Sequence, residues 1–199
     1  MKGTIMFTDI KQSSKLWRQS PTSMFNALLK HNDVIENAII SHKGLVVKNL
    51  GDSYMAYFDS ISNAISCAIF IQKQPVINVA EDRICIRIGL ACGRLYQKEY
   101  RIQNCKLVDF FGHTVNVAAR LEANVSPIGG IAFSIIGKQI LPKEIKKLVE
   151  SKNFKIKPTE FKSFCKKKIS NSPIYGNECR LASGIKGVGE LQAFLLKPN

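Results

Sequence analysis

Apolar positions along the chain recur with two different periods, and their alternation predicts the order of elements. Gly3–Asp9 (GTIMFTD) is a β-rich apolar run that ends in a carboxylate, the pattern of a buried central strand delivering a functional side chain at its end. After a Ser-rich turn, Ser20-Pro21 opens a helix in which Met24, Leu28, Ile35 and Ile39 recur near the three-to-four spacing, and Gly44 closes it. Residues 45–58 (LVVKNLGDSYMAYF) set two β-branched and aromatic runs on either side of Leu50-Gly51-Asp52, which predicts a hairpin with Gly51 and Asp52 at its tight end. Asp59 and Ser60 can cap a second helix over Ile61–Gln74, stopped by Pro75.

Arg83–Ala91 (RICIRIGLA) sets Ile84, Ile86 and Ile88 against Arg83, Cys85 and Arg87, the period of two of a half-buried strand. Lys106–Phe111 is a shorter strand candidate running into Gly112, Thr114–Val125 reads as a helix carrying Val115, Ala118, Ala119 and Glu122, and Gly129–Ser134 is strand-like again. Beyond Pro142 the pattern gives way to a Lys-rich, partly helical stretch up to about Arg180, broken at Pro158 and Pro173, before Ile185–Leu196 recovers as turn plus strand. No internal repeat or low-complexity tract is present. Strands and helices alternate through the first 135 residues, so the class is α/β or α+β with one central sheet.

Composition narrows this further. With 199 residues, 45% of them hydrophobic and 22% charged, the chain is one domain, two at most, and is not mainly disordered. No window approaches the ~18 uninterrupted apolar residues of a membrane span, and Met1 leads almost at once into a strand-like run, so a cytosolic protein without a signal peptide is expected. The 29 Lys and Arg against 15 Asp and Glu give a net charge of +14, which calls for an anionic partner. Between Lys138 and Arg180 lie 12 basic and four acidic residues, so more than half of the excess sits in one stretch. The six cysteines (67, 85, 92, 105, 165 and 179) contain no C-x-x-C pair and no His at zinc-site spacing, and they read as reduced, mostly buried thiols.

Asp9 and Asp52 each end or interrupt an apolar strand, where a carboxylate is costly unless something pairs with it. Neither has a basic partner close by in sequence, and together they suggest a hard divalent cation, since Mg²⁺ is usually held by one or two carboxylates plus substrate phosphates. Gln12, Ser13 and Ser14 form a polar turn after Asp9 that leads to a helix and can offer backbone N–H groups to phosphates.

Three segments, FTDI (7–10), KNLGDSYMAYF (48–58) and DFFGHTVNVAARLE (109–122), resemble the signature segments of the class III nucleotidyl cyclase catalytic domain, in the same order and at compatible spacing. The resemblance covers about residues 3–135 plus KGVGEL at 186–191. It implies a ferredoxin-like α+β sandwich (βαββαβ) with added elements, working as a head-to-tail homodimer with two metal ions, Mg²⁺ or Mn²⁺, in each interface active site. Asp9 and Asp52 match the metal aspartates, and the carbonyl of Ile10 matches a further metal ligand. Asn116 and Arg120, four apart on one helical face, match the Asn that fixes the ribose and the Arg that meets the α-phosphate. Lys48 and Asp109 match the positions that read the purine. Lys donates to adenine N1 and Asp accepts from the 6-amino group, whereas guanylyl members carry Glu and Cys-like residues there, so the pair points to ATP. Lys186 matches a lysine that contacts the distal phosphates in part of the family.

The reading is therefore a cytoplasmic adenylyl cyclase that makes 3′,5′-cyclic AMP and pyrophosphate from ATP. It is expected to be a single catalytic domain over 1–199, with its core at about 3–140 and 181–199. The Lys-rich 141–180 departs from the family pattern as a basic insert, read as a solvated segment in preference to a nucleic-acid or membrane contact. Three alternatives stand beside this reading: a cyclase for GTP or a pyrimidine triphosphate, a catalytically silent cyclase-like regulator that binds nucleotide, and a nucleic-acid binder built on the basic insert.

Overall fold

The first strand, β1 (Lys2–Ile10), is the axis of the fold in the computed structural model, which describes residues 1–138, 141–160 and 192–198. In chain order there follow α1 (Ser13–Gln19), α2 (Pro21–Ser41), β2 (Gly44–Asn49), β3 (Ser53–Phe58) and α3 (Ile61–Gln72). The short β4 (Asn78–Val79) and β5 (Asp82–Arg83) lead into β6 (Ile86–Arg94), β7 (Tyr96–Ile102) and β8 (Cys105–Phe111). Helix α4 (His113–Arg120) runs on into a π-helical turn, Leu121–Val125, before β9 (Ile131–Ile135), α5 (Lys143–Ser151), β10 (Phe154–Glu160) and β11 (Gln192–Pro198).

Seven strands form the main sheet in the order β10-β11-β9-β6-β1-β3-β2, and β4–β5 and β7–β8 are separate two-stranded ribbons. β1 pairs antiparallel with both β3 and β6, and β2 with β3, so β1, α2, β2, β3, α3 and β6 are the expected βαββαβ unit. β9 lies parallel to β6, a pairing that needs a crossover and obtains it from α4. Helices cover both faces. Met6, Phe58, Leu90 and Phe133 pack under α2, α3 and α5, while Ile5, Tyr57, Ala91 and Ala132 pack under α4 and its π turn. With both faces dry, β3 can be apolar along nearly its whole length, and its Tyr54–Phe58 are all buried. Helix α3 starts where the Ser60 cap predicts, with Ser62 N donating to Ser60 Oγ at 3.2 Å.

Four expectations need correction. Arg83–Ala91 is not one strand: Ile84 N donates to Ile77 O at 2.9 Å, and Ile84 buries in a small cluster with Ile10, Leu16 and Met24, so pairing lapses between β5 and β6. Strand β7 is absent from the sequence reading because nearly all of it is exposed and its stability comes from pairing with β8. The helix expected to run regularly to Val125 widens after Arg120, where Ser126 N donates to Leu121 O at 2.7 Å. Residues 141–160, assigned to a solvated insert, form α5 and β10, with Ile145, Val149 and Phe154 buried in the main core. The rest of that stretch, the turn expected before β11, Cys165 and Cys179 lie outside the described residues. Of the other cysteines, Cys67 and Cys92 are buried free thiols, Cys85 is half-buried and Cys105 is exposed. Among the described residues no helix is long and apolar enough to cross a membrane.

The π turn rests directly on β6. A Cβ built on Gly89 would meet the backbone N of Glu122 and come within 2.5 Å of Ala118 O, and backbone cannot swing aside as a flexible side chain can. Gly89→Ala is therefore expected to destabilise the protein by about 3 kcal/mol or more, read as a lower urea midpoint with an unchanged m-value. A midpoint within error of the parent would show that α4 is free to move off the sheet.

Candidate active site

Asp9 and Ile10 end β1, where Asp9 is in register with Ser53 on one side and Arg87 on the other. Asp52 immediately precedes Ser53, so the β2–β3 hairpin brings the second carboxylate to the same end of the sheet. The turn that does this is built locally. Leu50 N donates to Ser53 O at 2.8 Å, Gly51 N donates to Asn49 Oδ1 at 2.8 Å, and Gly51 takes φ +90, a conformation glycine adopts without strain. Ser53 Oγ donates to Thr8 O at 2.8 Å. Asn49 Nδ2 donates to the Tyr54 hydroxyl at 2.7 Å, which in turn donates to Glu36 Oε1 at 2.8 Å and ties the hairpin to α2. Burial, and then the bond to Glu36, raise the Tyr54 phenol above its ordinary range and keep it a donor at neutral pH.

Asp9 has a basic partner, but one distant in sequence. Arg87 Nη2 lies 2.6 Å from Asp9 Oδ2 and 2.9 Å from Glu122 Oε1, and Arg87 Nη1 donates to Ala123 O at 3.1 Å. The partner went unseen because it arrives across the sheet from another strand. Side-chain exposures of 15% for Arg87, 25% for Asp9 and 11% for Glu122 put the three largely out of water. Two carboxylates thus compete for one guanidinium. Burial pushes the Glu122 carboxyl up to about 7, the Asp9 charge adds to the rise, and Arg87 opposes it without prevailing. Arg87 and Glu122 are site residues that sequence reasoning passed over. The available signal was Glu122 itself, an acid four residues after Ala118 on the apolar face of a helix, where it demands a cation.

With Asp52 nearby, acids outnumber bases at this end, and the donors are hard oxygens. Among the described residues no group of three or more His, Cys, Asp or Glu is placed to hold a metal ion. The Asp9–Asp52 pair is nonetheless the kind of open donor set that Mg²⁺ or Mn²⁺ uses when substrate oxygens fill the remaining positions, so the residues fit such an ion.

Lys48 and Asp109, 61 positions apart in sequence, form an ion pair at 2.7 Å. The register between β2 and β3 shifts between Val46 and Lys48, a bulge that re-aims the strand just before the lysine. Asp109 also accepts from Phe110 N at 2.8 Å, which fixes its carboxylate. On α4 the buried residues are Thr114, Val117 and Ala118. Asn116 and Arg120 each lie two residues from Ala118, about 200° around the helix, and so face away from the sheet that carries Asp9. Asn116 is exposed and Arg120 half-buried. Ser13 and Ser14 open α1 after Gln12, which takes φ 59; Ser13 is half-buried and Ser14 exposed. Lys186 lies outside the described residues.

The mixed sheet thus carries Asp9 and Asp52 at one end, Lys48 and Asp109 form an ion pair, and Asn116 and Arg120 lie on the face of α4 turned away from the sheet. Residues 2–170 match the model of the adenylate and guanylate cyclase catalytic domain family, and the chain belongs to that family. It is 33% identical over 135 residues to a Rhizobium meliloti (strain 1021) protein, a match covering 65% of this chain and 22% of the relative. It is 30% identical over 156 residues to receptor-type adenylate cyclase B of Leishmania donovani, covering 60% of this chain and 12% of that protein. The chain therefore corresponds to a small part of these longer relatives. The fold is that of the adenylyl cyclase CyaB from P. aeruginosa, with TM-score 0.65, 18% identity, and coverage of 100% of this chain and 94% of that one. It is equally that of the guanylate cyclase domain of RhGC from Catenaria anguillulae in complex with GTP, with TM-score 0.67, 19% identity, and coverage of 100% and 97%.

The Glu122 shift sets a pH dependence whose sign follows directly. A carboxyl with a folded pKa near 7 against an ordinary 4.5 binds its proton more tightly in the folded state, so stability falls as pH rises from about 4.5 to 7. In Glu122→Gln this loss disappears. Urea unfolding in EDTA at pH 5 and pH 8 is expected to show the parent losing on the order of 2 kcal/mol more than the variant between the two pH values. Parallel behaviour would mean that Arg87 satisfies both acids.

Proposed function

We propose that the chain is an adenylyl cyclase that converts ATP to 3′,5′-cyclic AMP and pyrophosphate at sites shared between two copies. The Lys48–Asp109 pair carries this reading. Its 2.7 Å contact puts one donor and one acceptor side by side, the order that the N1 acceptor and 6-amino donor of adenine require. Guanine presents the reverse order and would leave both side chains facing like partners, a mismatch that a desolvated site rejects strongly.

In this reading Asp9, Asp52 and the Ile10 carbonyl would hold two Mg²⁺ or Mn²⁺ ions. When bound, such ions lower the pKa of the ribose 3′-hydroxyl and neutralise the triphosphate. The 3′-hydroxyl gives its proton to solvent water and its oxygen bonds to the α-phosphorus, the bond to the bridging oxygen breaks, and pyrophosphate leaves with the electron pair. Asn116 orients the ribose. Arg120 meets the charge that builds on the α-phosphate, where a positioned guanidinium lowers the barrier more than it binds the ground state. Ser13 and Ser14, and Lys186 outside the described residues, contact the phosphates.

The reading uses two copies, and the placement of Asn116 and Arg120 on the face of α4 turned from the sheet that carries Asp9 supports it. The β7–β8 ribbon supports a homodimer: Tyr96 is 67%, Ile102 59%, Leu107 47% and Phe111 42% exposed, an apolar surface suited to a second copy. The domain spans 1–199 and works in the cytoplasm.

The test is product identity after incubating the purified chain with Mn²⁺ and each of the four triphosphates. Cyclic AMP should dominate, and Lys48→Glu with Asp109→Cys should lose ATP selectivity and gain GTP turnover. Cyclic GMP from the parent, or an unaltered ATP preference in the double variant, would show that the base is read by other groups.

A further inference from the structure

Asp9 and Asp52 reach the same end of the sheet but are held there in different ways. Asp9 is gripped by Arg87 at 2.6 Å. The Asp52 carboxylate makes no hydrogen bond or ion pair among the described residues, so its aim depends on the turn that carries it. Packing does not hold that turn. Leu50 is 62% exposed, a Cβ built on Gly51 would meet nothing within 4 Å, and β2 is the edge strand of the sheet. The bulge between Val46 and Lys48 interrupts the ladder just upstream.

Hydrogen bonds must do what packing does not. Leu50 N to Ser53 O and Ser53 Oγ to Thr8 O secure the flanks of the turn, and the side chain that reaches into it is Asn49. Asn49 Oδ1 accepts from Gly51 N at 2.8 Å, and Asn49 Nδ2 donates to the Tyr54 hydroxyl at 2.7 Å. Gly51 N can only donate, so this amide has one satisfied orientation, and its NH₂ then needs an acceptor. The Tyr54 oxygen supplies one because its own proton is placed elsewhere, on Glu36 Oε1 of α2 at 2.8 Å. Tyr54 is 0% exposed, so water does not compete for that proton. Glu36 thereby sets the direction of a chain in which Gly51 donates to Asn49, Asn49 to Tyr54 and Tyr54 to the helix.

We propose that Glu36 is a positioning residue for the Asp52 carboxylate, acting through Tyr54 and Asn49 to fix how Asp52 meets a divalent cation. The inference rests on the reading of Asp52 as a metal ligand. Groups that orient a metal ligand from behind change metal affinity tenfold or more when removed. The experiment titrates the full chain with Mn²⁺ alone, counting free ion by electron paramagnetic resonance, and records the thermal midpoint of every variant. Asp52→Asn should weaken binding. Glu36→Ala and Asn49→Ala should each weaken it about tenfold. Glu36→Gln, whose amide oxygen still accepts the Tyr54 proton, should keep the parent affinity. Asn49 is exposed, so Asn49→Ala keeps the test open should Glu36→Ala fold poorly. Parent-like affinity in Asn49→Ala or in folded Glu36→Ala, beside a weakened Asp52→Asn, would overturn the positioning role alone, whatever the thermal midpoints do. Equal weakening by Glu36→Gln and Glu36→Ala would also overturn it, tracing the effect to the charge of Glu36. Unchanged affinity in Asp52→Asn would overturn the metal reading and this inference with it.

Discussion

The contact of the α4 backbone with Gly89 governs the arrangement of the rest. A helix normally stands off a sheet by the length of its side chains; here Ala118 O and Glu122 N lie where any β-carbon on residue 89 would be. Seating the helix so low drops Glu122 onto Arg87 and turns Asn116 and Arg120 outward. A single small residue on β6 thereby sorts the polar residues of one helix into two groups, one beneath it at the sheet end and one on its far side.

Beneath the helix the result is a deliberate imbalance of charge. Taking Asp9, Arg87 and Glu122 largely out of water is expensive, and one guanidinium cannot repay two carboxylates. The fold meets part of the cost by favouring the proton on Glu122. The remainder is a demand for positive charge next to Asp9 and Asp52, which a divalent cation arriving with an anionic nucleotide would meet. Asp9 is ion-paired with Arg87 at 2.6 Å, so a cation held by Asp9 would share that carboxylate with the guanidinium.

Features legible in the sequence were those written in local pattern. An apolar run ending in Asp9, two β-branched runs around Gly51-Asp52, and the 3–4 spacing from Met24 to Ile39 each specify their own element, and the structure contains all three. The Lys48–Asp109 pair was reached by resemblance, since nothing near either residue announces the other. Arg87 and Asp9 are 78 positions apart and meet only through the β1–β6 register, which leaves no trace in neighbouring residues. Strand β7 carries Tyr96 and Ile102 on one face, but both are exposed and the strand pairs with β8 in a ribbon away from the core, so no buried stripe marks it. In α5 the lysines of KEIKKLVES masked Ile145 and Val149, whose spacing of four is that of a buried helical stripe.

The central claim is that the carboxylates of one copy work with Asn116 and Arg120 of another, and subunit exchange tests it most directly. Asp52→Asn and Arg120→Ala are purified separately, each nearly inactive, then mixed in equal amounts and allowed to exchange. Random pairing makes about half the dimers mixed, each with one doubly damaged and one intact site, so about a quarter of the parent activity should return. If exchange is demonstrated and no activity returns, each site is built within one chain, and the outward face of α4 has been given the wrong role.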